Sequence, residues 1–86
     1  MKIEKKIWPE YFDEVKSGKK KFEFRLADFK VKADDILVLR EWDPKTKEYT
    51  GRKISKKVSY VLKTKDLKFY SQKDVKKYGY QIIQLK

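Results

Sequence analysis

Between Ser17 and Arg25 the chain reads SGKKKFEFR, with four cations, one carboxylate and two phenylalanines in nine residues. Taken with a period of two, Phe22 and Phe24 share one face of a strand, and Lys21, Glu23 and Arg25 share the other. A carboxylate flanked by cations favours its ionised form, which accepts hydrogen bonds and does not readily donate a proton. Such a group suits the exocyclic amine of a base. Arg25 would fork onto phosphate or stack on a base plane. Lys20 falls out of phase with that face, so it belongs to the turn before the strand, where it would meet phosphate as a compact charge. The competing account is a solvated ladder of charges with little energetic worth.

A second concentration is Arg40, Glu41, Trp42 and Asp43. Trp42, with Tyr80, offers stacking surface for an unpaired base; rim or core packing is the ordinary alternative for such rings. Asp34, Asp35, Glu41 and Asp43 form the one local group of carboxylates, but they bracket the two ends of one strand and need not converge on a metal. The chain has no Cys and no His. This removes thiolate metal sites, Ser-His-Asp and Cys-His catalysis, and the commonest zinc ligand. A metal-free hydrolase would have to work with Lys20 or Glu23 as acid or base. The expectation is no metal and no cofactor.

Lys and Arg outnumber Asp and Glu by 24 to 13, a net charge of +11. That surplus points to polyanions, RNA or DNA before an anionic membrane. Nearly all of it is Lys, which a hot or AT-rich source would also produce. Lys45, Lys47, Arg52, Lys53, Lys56 and Lys57 gather near a hairpin, with Tyr49 and Tyr60 interleaved; this suits single-stranded nucleic acid. No zinc-finger spacing, helix-turn-helix pattern or RNP signature is present. The first twelve residues lack a signal peptide's apolar run, and no segment approaches a membrane span. A cytoplasmic domain with no membrane partner is expected, with a monomer as the default.

These residues must be positioned by the 86-residue chain as one small domain. Residues 2–7 predict a short strand. Pro9, early acids, and Lys16 with Gly18 bracket a short helix whose stripe is Trp8, Tyr11, Phe12 and Val15, aromatics expected in the core. Residues 21–26 alternate as a second strand. Residues 35–42, DILVLREW, carry the apolar run of a central strand covered on both faces. DPKTKEYTGR predicts a long hairpin loop, and residues 53–63 a returning strand. Ser71 with Asp74 resembles a capping box for a second helix, and residues 80–86 close as a strand. The order β-α-β-β-β-α-β predicts an α+β fold, a small mixed β-barrel of about five strands with two short helices.

Gly18, Lys20, Glu23 and Arg25 also fit the pattern G-x-K-x-x-E-x-R, which, after an amphipathic helix, resembles the ASCH domain superfamily, of PUA-like fold. WPEYFDEVKSGKKKFEFR, DDILVLREWDPKTKEYTGR and GYQIIQLK together look like its DUF3850 branch, from Trp8 to the C-terminus. One departure is VKADD, residues 31–35, where the family pattern suggests a shorter V-G-D turn. The resemblance implies a PUA-like barrel over residues 1–86 that binds RNA or modified bases, some relatives being proposed ribonucleases. A bacterial ASCH subgroup hydrolyses N4-acetylcytidine with a Lys-Thr-Glu set. Its Lys would fall on Lys20 and its Thr on Glu23, which is no hydroxyl nucleophile; Asp74 is the nearest counterpart for its Glu. The match breaks at the nucleophile.

The resemblance favours Lys20, Glu23 and Arg25 over Lys21. The expected function is binding of single-stranded or structured RNA, or of a nucleotide-like small molecule, in a cationic cleft beside residues 18–25, with Arg40, Trp42, Arg52 and Tyr80 as further contacts. A ribonuclease or modified-nucleoside hydrolase of the same fold is the first alternative. A protein-interaction module with incidental charge is the second.

Overall fold

A computed structural model describes residues 1–65 and 67–86. Its elements are β1 (Lys2–Ile7), α1 (Pro9–Lys16), β2 (Ile36–Asp43), β3 (Glu48–Lys57) and α2 (Gln72–Tyr78). The strands form one mixed sheet in the order β1-β2-β3. β1 runs parallel to β2, with Lys2 opposite Ile36 and Ile7 opposite Glu41. β2 and β3 are antiparallel, joined by a tight turn at residues 44–47. Parallel neighbours require a crossover, and α1 lies within it.

Alternation along the strands sorts the two faces. Ile7, Leu37 and Leu39 point to one face, where Phe12 and Val15 of α1 complete a buried cluster, with Ile3, Ile54 and Val58 packed against it. Leu37, Val38 and Leu39 are buried in succession, so the centre of β2 is covered on both faces, as its apolar run demands. The α1 stripe is narrower than expected. Trp8 and Tyr11 are half-exposed, and only Phe12 and Val15 are buried.

The β2–β3 turn is shorter than its sequence suggests. Asp43 organises it, its side chain accepting from Lys45 N at 2.8 Å and its carbonyl from Lys47 N at 2.7 Å. Lys47 takes the left-handed conformation. The stretch from Glu48 to Arg52, expected as loop, is therefore strand, and β3 ends at Lys57 instead of running to residue 63. An irregularity lies between Arg40, opposite Lys53, and Trp42, opposite Tyr49. Thr50, Gly51 and Arg52 all face Glu41 across it. Gly51 supplies the positive φ of +96° that the bulge requires.

Two expected strands are absent from the ladder. Residues 21–26 and 80–86 carry no strand among the described residues, so the sheet is open, with three strands and not the five of a closed barrel. Period-two alternation makes a strand only where a neighbour offers its N–H and C=O groups. Here Phe24, Ile82, Ile83 and Leu85 are exposed. α2 is present with its expected cap, Ser71 Oγ accepting from Asp74 N at 3.1 Å, although it buries none of its own residues. No helix among the described residues is long and apolar enough to cross a membrane.

At VKADD the sheet is extended instead of interrupted. Asp34 N donates to the Val58 carbonyl (2.7 Å) and Val58 N to the Asp35 carbonyl (2.8 Å). Asp34 holds φ +77°, a conformation that Gly accepts freely and Asp tolerates better than most residues. Asp35 is buried; its Oδ2 accepts from Lys32 N (3.0 Å) and its Oδ1 from the Met1 ammonium (3.2 Å). The Lys32 N–H, and after it the ammonium, holds this carboxyl below the usual range against the opposing effect of burial.

Candidate functional site

Gly18 ends α1 with φ +83°, its N–H bonded to the Val15 carbonyl at 3.1 Å. The chain then folds back, and Lys20 N reaches the Glu14 carbonyl at 3.0 Å. Gln84 fastens the same turn from the far end of the sequence. Its Nε2 donates to the Lys19 carbonyl at 3.2 Å, and its Oε1 accepts from Lys21 N. One side-chain amide thus grips the backbone on both sides of Lys20, as a neighbouring peptide group would.

This turn brings Lys20, Glu23 and Arg25 together. Lys20 Nζ lies 3.3 Å from Glu23 Oε1, and Arg25 Nε donates to Oε2 at 2.9 Å. The three side chains are 16%, 18% and 28% exposed. Lys20 also sits 5.2 Å from the ring centres of Tyr11 and Phe22. Arg25 anchors the cluster to the sheet by donating from Nη2 to the Lys6 carbonyl of β1. Lys21 is exposed. The expected face of Lys21, Glu23 and Arg25 is thus replaced by Lys20, Glu23 and Arg25, because an irregular turn escapes the two-residue period.

Arg40 and Trp42 occupy a different place, the sheet face away from α1. Trp42 pairs across the strands with Tyr49. Lys6 Nζ lies 4.5 Å from the Trp42 ring and 5.7 Å from Tyr49, and the Arg40 guanidinium lies 4.0 Å from the Tyr49 ring. A concavity of about 370 Å³ opens beside them, lined by Glu4, Arg40, Tyr49, Gly51, Arg52 and Lys53. Tyr80 is exposed beyond α2, and none of the ring contacts among the described residues joins it to Trp42. Tyr49, across the strands from Trp42, is the ring that neighbours it.

Arg52 has an occupation of its own. Its Nε donates to Glu41 Oε1 at 2.8 Å, and its Nη2 to Glu41 Oε2 at 2.6 Å and to Asp13 Oδ1 at 3.0 Å. Thr50 Oγ1 also donates to Glu41. The guanidinium covers the buried Phe12 ring at 4.5 Å. Glu41 is only 3% exposed. The Arg52 bonds hold its carboxyl well below the usual range, with Thr50 helping and burial opposing. Glu41, and after it Asp13, raise Arg52 in return. Arg52 ties α1 to the β3 bulge, and it also lines the concavity beside Tyr49. The signal for this network was in the sequence: Glu41 shares the phase of Leu37 and Leu39, and a carboxylate in a core-facing phase demands a partner.

The carboxylates considered for a metal are otherwise engaged, Asp35 by Lys32 and Met1, Glu41 by Arg52. No group of three or more metal-ligating side chains converges among the described residues.

The geometry defines a small α+β domain with a three-stranded mixed sheet and a cation-bracketed carboxylate beside its free β1 edge. The chain belongs to the family described as domain of unknown function DUF3850, whose model matches residues 3–82. It is 38% identical over 63 residues to an "Uncharacterized 12.9 kDa protein in GpA 3'region" of Escherichia phage P2. That match takes in 73% of this chain and 56% of the phage protein, so this chain spans about half the length of that relative. No solved structure matches the chain.

Proposed function

We propose that this domain binds RNA, or a nucleotide-like fragment of it, at Lys20, Glu23 and Arg25. The observation that carries this is the half-open Glu23 carboxylate held between two cations. Glu23 accepts from an exocyclic base amine, as acidic side chains do with cytosine. Arg25 and Lys20 exchange part of their hold on Glu23 for phosphate. Lys45, Lys47, Lys53 and Lys56 are exposed, with no ion pair among the described residues, and supply a long-range field for a polyanion. We place the family within the ASCH superfamily, with a PUA-like arrangement in which residues 80–86 lie against residues 18–26. The grip of Gln84 on residues 19–21 supports that arrangement.

The test is an anisotropy titration with a labelled single-stranded RNA over a range of salt. Log affinity falls linearly with log salt, and Arg25→Met weakens binding about tenfold, the worth of one charge-assisted contact. Equal affinity for wild type and Arg25→Met would remove the cluster from the interface. Turnover of the RNA in the same samples, abolished by Lys20→Met, would replace binding by hydrolysis.

A further inference from the structure

Lys6 joins two places that the sequence keeps apart. Its carbonyl lies at the free edge of the sheet and receives Arg25. Its side chain, in the phase of Glu4 and opposite to that of Ile7, turns to the face away from α1 and lies over Trp42 and Tyr49. The Glu23 cluster and the Trp42–Tyr49 pair are therefore separated by the width of one edge strand.

We propose that the ligand is an RNA strand of at least two nucleotides that crosses the β1 edge, one base at Glu23 and the next stacked on Trp42 and Tyr49. This rests on the RNA reading of Glu23 and deepens it, because it excludes a free mononucleotide as the complete ligand. The sheet face carries what consecutive unpaired nucleotides require. Tyr49 is 43% exposed and Trp42 half-buried beside it, so their rings sit at a fixed place on paired strands, and a base takes ring surface there by displacing Lys6 or Arg40. Lys6 and Arg40 lie over those rings, Lys53 lines the concavity beside them, and Glu4 is the one carboxylate in that lining. That charge complements a phosphate backbone. It opposes an apolar protein partner, whose interface core would be depleted of charge. Lys6 stands between the two base positions, where the linking phosphate must pass. Its ammonium can leave the Trp42 ring for that phosphate as a base takes its place.

The experiment compares cytidine monophosphate, a tetranucleotide of cytidines and a control strand of the same charge with one cytidine and three abasic sites. It uses calorimetry for affinity and the Glu23 amide and Trp42 indole NMR signals for location. The expected result is that the tetranucleotide binds at least about tenfold tighter than the monophosphate or the abasic strand, the gain that one stacked base provides. Tyr49→Ala, an exposed position in β3, removes that gain and leaves the monophosphate affinity unchanged. The tetranucleotide moves the Trp42 indole signal, and the monophosphate moves Glu23 alone. If the monophosphate moves Glu23 and the tetranucleotide binds no tighter than its abasic control, the inference is overturned while the RNA site at Glu23 stands. If no ligand moves Glu23, the RNA reading itself fails; any shift at Trp42 then comes without a strand crossing the edge, which also overturns the inference.

Discussion

Glu23 and Glu41 are both glutamates gripped by an arginine and by a second donor, yet they sit in opposite surroundings. Glu41 is 3% exposed, held by Arg52 and Thr50 from a bulged strand whose register is set by the sheet. Glu23 is 18% exposed, held by Lys20 and Arg25 from its own short turn. Sealing a carboxylate requires donors from rigid elements that cannot withdraw, since an unpaired buried charge is costly. A carboxylate whose donors come from one irregular segment can trade them for a ligand. The same chemistry thus serves as a fastener at Glu41, and at Glu23 it leaves the proposed receptor role open to test.

The largest break in that comparison is expected from Glu41→Gln. It leaves the Arg52 donors facing an amide and loses about 2 to 3 kcal/mol of stability by urea denaturation, as breaking a sealed pair does. Glu23→Gln loses less than about 1 kcal/mol in the same assay, as for other solvent-accessible pairs. Its cost appears in RNA affinity. Equal destabilisation by the two variants would erase the distinction.

Acid should find the sealed carboxylates next. Glu41 and Asp35 have folded-state values held below their unfolded ones. Their contribution is therefore complete above the unfolded values, about pH 4 to 4.5, and is lost as pH falls through the lower folded ones. The urea midpoint should be flat from neutral pH to about pH 5 and fall below it. Glu41→Gln should show a shallower acid limb. An unchanged limb in that variant would assign the acid sensitivity elsewhere.

The smallest effect sharpens a turn and not a site. Asp34→Gly relieves the left-handed backbone at φ +77° and gives up only an exposed contact to Lys57 at 3.4 Å. A gain of about 0.5 kcal/mol is expected by thermal unfolding. A loss would mean that the Lys57 contact outweighs the backbone.

Where a segment's partners are near in sequence, or its apolar run is strong, its structure was legible. β1, α1, β2 and α2 follow from periodicity, Pro9, Gly18 and the Ser71 cap. Glu48 to Arg52 was not legible as strand, because Thr-Gly reads as a turn while Gly51 in fact serves a bulge. Residues 21–26 have the right alternation, but alternation does not supply a hydrogen-bonding neighbour. The convergence of Lys20 on Glu23 was signalled by the G-x-K-x-x-E-x-R spacing and not by strand phase. The Arg52–Asp13 contact joins residues 39 apart, and the Arg25–Lys6 contact depends on which strand lies at the edge. Both are products of topology, which no local pattern encodes.

The most direct measurement is a two-dimensional NMR titration of the labelled protein with a short single-stranded RNA at low and moderate salt. The account predicts shifts centred on Lys20, Glu23 and Arg25 at both salt concentrations, smaller at the higher one as affinity falls, while Thr50 and Glu41 stay still. Shifts spread over the exposed lysines that vanish with salt, or shifts centred on Glu41, would contradict it and leave Glu23 an ordinary solvated side chain.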